Sequence, residues 1–231
     1  MYKRHRDFYT PDNSKIVWHY FSLSKFIGLL DSSMLYFSRQ DQFEDSGEGR
    51  LSQSDRAFLS KYGHMAEQME SDGVGCYYAN CWTIAELDEY VLWNTYASLH
   101  DGIAIKSTVG RIKRALDSND KRGVYIAKVQ YYDELTGSTF SVSGGYINVL
   151  SLAFSKREYF KAEKELRLLY HDDEARLDDK SPIGLTFRVD LSELIDSIYV
   201  APKSYPWFKE AIAHLLKRYG IDNIQVHKSN I

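Results

Sequence analysis

Residues 156–170 read KREYFKAEKELRLLY, and how this stretch folds decides how the rest of the chain is read. Glu163, Glu165 and Arg167 stand at alternate positions leading into an apolar run. On an extended segment alternate side chains share a face. Two carboxylates beside a guanidinium, displayed from a rigid strand, suit an enzyme that holds a sugar hydroxyl and stabilises positive charge on a sugar carbon. The same letters also fit a surface helix, in which Glu163 and Arg167 form an i,i+4 ion pair worth roughly 0.2–0.5 kcal/mol.

The remainder of the chain bounds the choice. With 231 residues, 44% of them hydrophobic, it has enough material for a proper core, and no composition shift marks a domain boundary. We expect a single domain over 1–231, with 39–73 as a lid or peripheral helical insertion. The apolar runs fall well short of the ~20 residues of a spanning helix, and MYKRHRDFYT at the start is not a secretory signal, so a cytoplasmic protein away from membranes is expected. Cys76 and Cys81 lie in a Tyr-rich apolar segment without metal-ligand spacing, which predicts reduced, buried thiols and no metal site. A formal charge of -3 argues against a mainly electrostatic nucleic-acid binder. Eighteen tyrosines, eleven phenylalanines and four tryptophans exceed what a minimal core needs, so some rings are available to line a pocket.

Residues 16–21, IVWHYF, read as a buried strand with Ile16, Trp18 and Tyr20 on one face and Val17, His19 and Phe21 on the other. Ser22 or Ser24 caps a short helix that ends at Asp31-Ser32-Ser33, and a second strand over 34–38 follows. Residues 74–83 read as a strand. Residues 86–98 read as an amphipathic helix with Leu87, Val91, Trp93 and Tyr96 inward. Strands are expected over 102–107 and 123–132, a short basic helix over 109–116, and a loop over 133–145. Two further strands, the helix 206–219 closed by Gly220, and a last strand at 224–226 complete the pattern. The class is α+β, with seven to nine strands and four or five helices.

WHYFS and LYFSRQDQFEDSGEG in 16–50, NCWT, LWNTYAS and GIAIKST in 80–108, and FKAEKELRL in 156–170 together resemble the bacterial family catalogued as domain of unknown function 2971. More distantly, the order WHYFS, short helix, LYFS, then EKE resembles ADP-ribosyltransferases. That likeness implies a split or curved, mainly antiparallel central sheet with peripheral helices, and NAD as substrate. It implies Glu165 as the catalytic carboxylate and Glu163 as its accessory acid. His19 would orient the nicotinamide ribose, Tyr36 or Tyr96 would stack on nicotinamide, and Tyr20, Ser38 and Arg167 would complete the NAD-contacting set. It further implies a macromolecular acceptor, protein or nucleic acid, an inhibitory partner, and a role as a toxin or antiviral effector.

Tyr20 and Phe21 depart from the Gly or Thr that often follows the first-strand histidine. His19 also reads as a packed core histidine, and Tyr36 and Tyr96 as core rings. The acidic loop with Arg39, Asp41, Glu44, Asp45 and Glu48 reads as a solvated surface or as a ligand-gripping segment. Two other functions stay open: a non-catalytic binding module in which Glu163, Glu165 and Arg167 form a structural network, and a metal hydrolase using Asp41, Glu44 and Asp45.

Overall fold

The computed structural model describes residues 1–116, 120–143, 146–174 and 182–231. The chain enters through β1 (Tyr2–Lys3) and β2 (Ile16–Phe21). Ser22 then accepts a hydrogen bond from the Lys25 amide and starts α1 (Leu23–Ser32), which Ser33 ends in a left-handed conformation. β3 (Met34–Arg39) follows, then α2 (Gln53–Leu59) and α3 (Met65–Val74). Next come β4 (Tyr77–Ile84), α4 (Tyr90–Tyr96), β5 (Ile103–Thr108) and α5 (Val109–Ala115). β6 (Val124–Lys128), β7 (Gln130–Tyr132), β8 (Ser141–Ser143), β9 (Tyr146–Asn148) and β10 (Ser155–Arg157) are short. β11 (Glu165–His171), β12 (Gly184–Arg188), α6 (Leu191–Leu194), β13 (Ser197–Val200), α7 (Pro206–Arg218) and β14 (Gln225–Lys228) complete the chain. Among the described residues the strands outnumber the expected seven to nine, because 123–132 breaks in two, the 133–145 loop, of which 144–145 lie outside the described residues, contains β8, and β1, β9 and β10 form where no strand was expected.

Ten strands form one sheet in the order β1-β6-β11-β4-β2-β5-β13-β14, with β3 joined to β4 and β12 to β3. Pairing is antiparallel except at the two outer ends, β1 with β6 and β13 with β14. The expected α+β class with a split, mainly antiparallel sheet is therefore what the chain forms. The split lies in β4. Its end pairs with β2, Thr83 opposite Trp18 and Ile84 opposite Val17. Its beginning pairs with β3, Ala79 opposite Ser38 and Tyr78 opposite Arg39.

Between those two partners Asn80, Cys81 and Trp82 line a fork, and side chains satisfy the backbone there, as a buried polar group requires. Asn80 donates to the Tyr36 carbonyl oxygen at 3.0 Å and accepts from the Trp82 indole N–H at 2.7 Å. His19 Nδ1 donates to the Cys81 carbonyl oxygen at 2.6 Å. A carbonyl only accepts, so the neutral imidazole carries its proton on Nδ1.

The strand period of two assigns every side chain of the central strands to a face. Val17, Phe21, Tyr78, Trp82, Leu166 and Leu168 belong to the main core, with α1, α5 and α7 packed over it. α7 contributes Phe208, Ile212 and Leu216, and Gly220 at φ +71 closes it. The opposite face holds Trp18 and Tyr20 under α4. It also holds Tyr77, Ala79 and Leu169 under the 3-10 helix Val149–Phe154. α2 and α3, in the segment expected as a lid, pack Leu59 and Met69 on Leu51 and Leu152 in a small cluster of their own.

α4 differs from the sequence reading. Leu92 and Trp93 are buried, whereas Leu87 and Val91 are largely exposed. The helix starts at Tyr90 rather than 86, because Asp88 accepts from the Trp93 indole and the Glu89 amide donates to Tyr20 Oη, holding the chain extended before the first turn. The later start rotates the apolar stripe.

Asn80→Ala should cost about 2–4 kcal/mol, since a buried indole N–H and a backbone carbonyl lose their partner together. Urea denaturation measures it; a loss below ~1 kcal/mol would mean that Asn80 does not hold the fork.

Candidate active site

Residues 156–170 adopt neither of the two simple conformations. Ser155–Arg157 is strand, Glu158–Glu163 is a 3-10 helix, and Glu165–His171 is strand again. Lys164 joins the last two in a left-handed conformation at φ +46. Glu163 therefore does not share the strand with Glu165 and Arg167, as the alternation had suggested. Nor does Glu163 pair with Arg167 across a helical turn.

The two acids are nevertheless brought together by Lys156. Its Nζ lies 2.5 Å from Glu163 Oε2, 3.4 Å from Glu165 Oε2 and 3.1 Å from Glu48 Oε1. Arg167, fully buried, grips Glu165 with Nε and Nη2 at 2.6 and 3.0 Å. Its Nη2 also reaches Glu48 Oε2 at 2.8 Å, and its Nη1 donates to the Ala153 carbonyl at 2.7 Å. Tyr131 Oη accepts the Glu165 amide at 2.9 Å.

Three carboxylates meet two cations here, which leaves a formal charge of −1 on the cluster. Burial alone would raise the Glu165 pKa, but Arg167 and then Lys156 outweigh it and hold the carboxyl at about 2. Burial would lower Lys156, yet the Glu165 and Glu48 carboxylates lift it above the ordinary lysine range. Arg167 is likewise raised against its own burial by the same two acids. The Cys81 thiol, pushed well up by burial and then by Glu165, stays protonated beside them.

Exposure separates the two sequence-predicted acids. Glu165 keeps 3% of its side-chain surface and Glu48 1%, whereas Glu163 keeps 16%. Glu163 Oε1 accepts from Tyr96 Oη at 2.6 Å, and Tyr96, at the end of α4, is 47% exposed. Burial and the Glu163 hydrogen bond push the Tyr96 phenol up, so it remains a donor. Glu163 and Tyr96 are thus the lip of the cluster, and Glu165, Arg167 and Glu48 its interior.

Tyr20, Tyr36 and Ser38 lie on the same sheet face by register. Tyr20 is buried beneath α4. Tyr36, 50% exposed, lies over Gly184, where an added Cβ would meet its hydroxyl oxygen at 2.0 Å. His19 is on the other face. Thr83 pairs with both Glu165 and Trp18, so the residue after Trp18 stands opposite to them. Its ring packs against Phe21 and Trp82 with centroids 4.2 and 5.0 Å apart. The expected convergence of His19 with the acidic pair does not form, because one position along a strand reverses the face.

The acidic loop is another departure. Asp45 is buried against Arg157, and Glu48 against Lys156 and Arg167. Gly47 makes this approach feasible, since a Cβ there would lie 3.0 Å from Arg157 Nε. Asp41 is taken up by Arg39 at 2.6 Å, so Asp41 and Asp45 answer separate guanidinium groups rather than a shared metal. Lys156 and Tyr131 are site residues that the sequence did not single out, and Glu48, read there only as part of the acidic loop, joins them in the interior. An adjacent Lys-Arg pair facing Asp and Glu three apart is the one signal, and Arg157 and Asp45 are 112 residues apart along the chain.

Arg167→Met should cost about 3–5 kcal/mol, the penalty for leaving buried carboxylates uncompensated, while Glu163→Gln at the lip should change chemical denaturation by less than ~1 kcal/mol. His19 gives a pH test. Burial lowers it from 6.5 to about 4, against the pull of the Cys81 carbonyl. Between those values the unfolded chain takes up a proton that the fold refuses, so stability falls as pH drops through the window. Allowing for the ring's partial exposure this amounts to ~2 kcal/mol, and His19→Gln should flatten that limb of the stability–pH curve.

No family model and no curated protein matches the chain, so the likeness to domain of unknown function 2971 rests on the quoted motifs alone. Among solved structures, Thermus sp. 2.9 DarT in complex with carba-NAD+ is similar at a TM-score of 0.41 and 10% identity, over 96% of this chain and 97% of that one. DarT from the same source in complex with NAD+ gives 0.42 and 12%, over 95% and 97%. Its complex with ADP-ribosylated ssDNA gives 0.41 and 10%, over 96% and 97%. Likeness at this level assigns no residue of the site. Among the described residues no helix is long and apolar enough to cross a membrane.

Proposed function

We propose that the chain is an NAD-dependent ADP-ribosyltransferase acting on a macromolecular acceptor, protein or nucleic acid, in a toxin or antiviral role. The observation that carries this reading is the net negative, largely dry cluster whose lip is Glu163 and Tyr96. A fixed excess of negative charge in a low-dielectric place stabilises developing positive charge far better than water-exposed acids do.

In the reaction, the bond between the ribose anomeric carbon and the pyridinium nitrogen breaks, and its electron pair leaves with neutral nicotinamide. Positive charge then grows on the sugar ring. Glu163 faces that charge and accepts the 2′ hydroxyl, while Tyr96 supplies a ring for nicotinamide. An acceptor N–H or O–H closes the new bond, releasing its proton to Glu163 or solvent. Glu165 and Arg167 back this pair from the interior, and Tyr36 and Ser38 extend the same face. His19, beyond the fork, serves the sheet rather than the ribose.

One observation favours a second reading. Both oxygens of Glu165 are engaged by Arg167, as a purely structural network in a binding module would have them.

Incubation of the purified protein with NAD and with protein, single-stranded DNA or cell extract separates the two. Nicotinamide release is expected, and Glu163→Gln should reduce turnover by at least ~10²-fold, as for a deleted electrostatic stabiliser. No release with any acceptor would sink the transferase reading in favour of the binding module.

A further inference from the structure

The N-terminal segment contributes nothing to the acidic cluster, yet it builds a concave surface at the β1 end of the sheet. Tyr2 and Lys3 pair with Val124 and Tyr125 of β6, and the Lys128 amide donates to the Tyr9 carbonyl at 3.0 Å. Between these contacts residues 4–8 turn on themselves, the Phe8 amide donating to the His5 carbonyl. Thr10 Oγ1 then donates to the Ile126 carbonyl at 2.5 Å. Residues 13–15 are fastened to the start of α5, whose Val109 and Gly110 amides donate to the Lys15 and Asn13 carbonyls at 3.1 and 2.9 Å. Gly110 allows that approach, since a Cβ there would lie 3.0 Å from the Asn13 carbonyl oxygen. A cavity of about 520 Å³ results, with Tyr2, Arg4, Phe8, Tyr9 and Asp12 of this segment and Lys113 of α5 among its walls.

We propose that this cavity is a second ligand site, which takes a small phosphate monoester carried on a flat ring. Its volume is that of a small-molecule site, and three aromatic rings with a few polar groups are the lining such a site needs. The Arg4 guanidinium has no hydrogen-bond or ion-pair partner among the described residues. Lys113 Nζ donates to Asn13 Oδ1 at 2.8 Å and stands 4.7 Å from the Tyr2 ring centroid. An ammonium has three donors, so Lys113 keeps one for a ligand. A guanidinium fork matches two phosphate oxygens, and an ammonium takes a third as a point charge. Asp12 is the only carboxylate on the walls, so the two cations leave an excess of one positive charge there. The run KRHR at 3–6 adds to it.

The site is distinct from the one described above. None of its walls is formed by Glu48, Lys156, Glu163, Glu165 or Arg167, and its excess charge has the opposite sign. Main-chain hydrogen bonds hold its two sides to β6 and to α5, so the concavity exists before anything enters and little ordering is lost on binding. The inference does not depend on the transferase reading and stands or falls without it.

The test is a titration of the 15N-labelled protein, followed by its amide spectrum, with phenyl phosphate, inorganic phosphate and benzyl alcohol in turn. Phenyl phosphate should saturate with a Kd of about 1 mM, the affinity open to a ligand of this size. The shifts should concentrate in residues 2–13 and in α5. Arg4→Gln and Lys113→Gln should each weaken binding roughly tenfold, as for a lost hydrogen bond to a charged group. Arg4 supports no other side chain, so its variant tests the site without risk to the fold. Asp12→Asn should tighten binding about threefold by removing the opposing charge. Inorganic phosphate and benzyl alcohol, each lacking one half of the ligand, should bind at least about tenfold more weakly. The proposal is overturned if phenyl phosphate does not saturate, or if its shifts fall elsewhere. It is equally overturned if inorganic phosphate binds as well, or if Arg4→Gln and Lys113→Gln bind as wild type does.

Discussion

Arg167 is the constraint on which the rest of the structure depends. A guanidinium with no exposed surface needs every donor satisfied, and its partners come from three separate parts of the chain: Glu165 on its own strand, Glu48 in the loop after β3, and the Ala153 carbonyl in the 3-10 helix before β10. Each of those charges has lost its hydration, a loss of several kcal/mol per ion that attraction offsets only when the geometry is good. The network is therefore weak evidence for extra stability. It is strong evidence for a fixed arrangement, because any displacement of the 40–52 loop, the 3-10 helix or β11 leaves a buried charge unmatched. β11 also pairs with β4 and β6 along most of its length, so the charged cluster is anchored to the middle of the sheet.

The fork in β4 determines what that anchored cluster can meet. The strand leaves β3 and joins β2 within six residues, and Asn80 and His19 supply the hydrogen bonds that a continuous partner would have supplied. The sheet separates the two faces there. His19 serves the apolar core side, where a neutral imidazole with its proton on Nδ1 costs least. The side with Glu165 receives α4 and the 3-10 helices, and their ends bring Tyr96 and Glu163 within hydrogen-bonding distance. A site on this protein is thus assembled from what covers the sheet as much as from the sheet itself.

Local periodicity made much of this legible. The alternation in Ile16–Phe21, the Ser22 cap and the Pro206–Gly220 helix all follow from rules that act over a few residues, and the structure forms them as read. What failed was whatever depended on one residue of register. A lysine carries no sign of the left-handed conformation that Lys164 adopts, so Glu163 was placed on a strand that begins two residues later. In α4 the apolar letters permit more than one stripe, and the choice is made by Asp88 and Tyr20 through hydrogen bonds to distant partners. The buried charge of Asp45 and Glu48 was hidden for the same reason. An acidic loop looks solvated until its cations are known, and those cations are supplied from far along the chain.

The division between a buried acid and a lip acid bears on how such a cluster does chemistry. Glu165 is ionised and rigid, but both its oxygens face Arg167, and turning one toward a substrate would strip a buried guanidinium of its partner. Its negative charge is felt at the lip only in part, since Arg167 neutralises most of it. Glu163 is bound by one ammonium that it shares with two other carboxylates, and by a phenol that gives up little on exchanging partners. An acid held this way can meet an incoming positive charge without breaking the interior, because the formal excess of one negative charge is already present before anything binds. In the proposed transferase the interior would set the field and the lip would do the contacting, which is the division of labour that a preorganised electrostatic site requires.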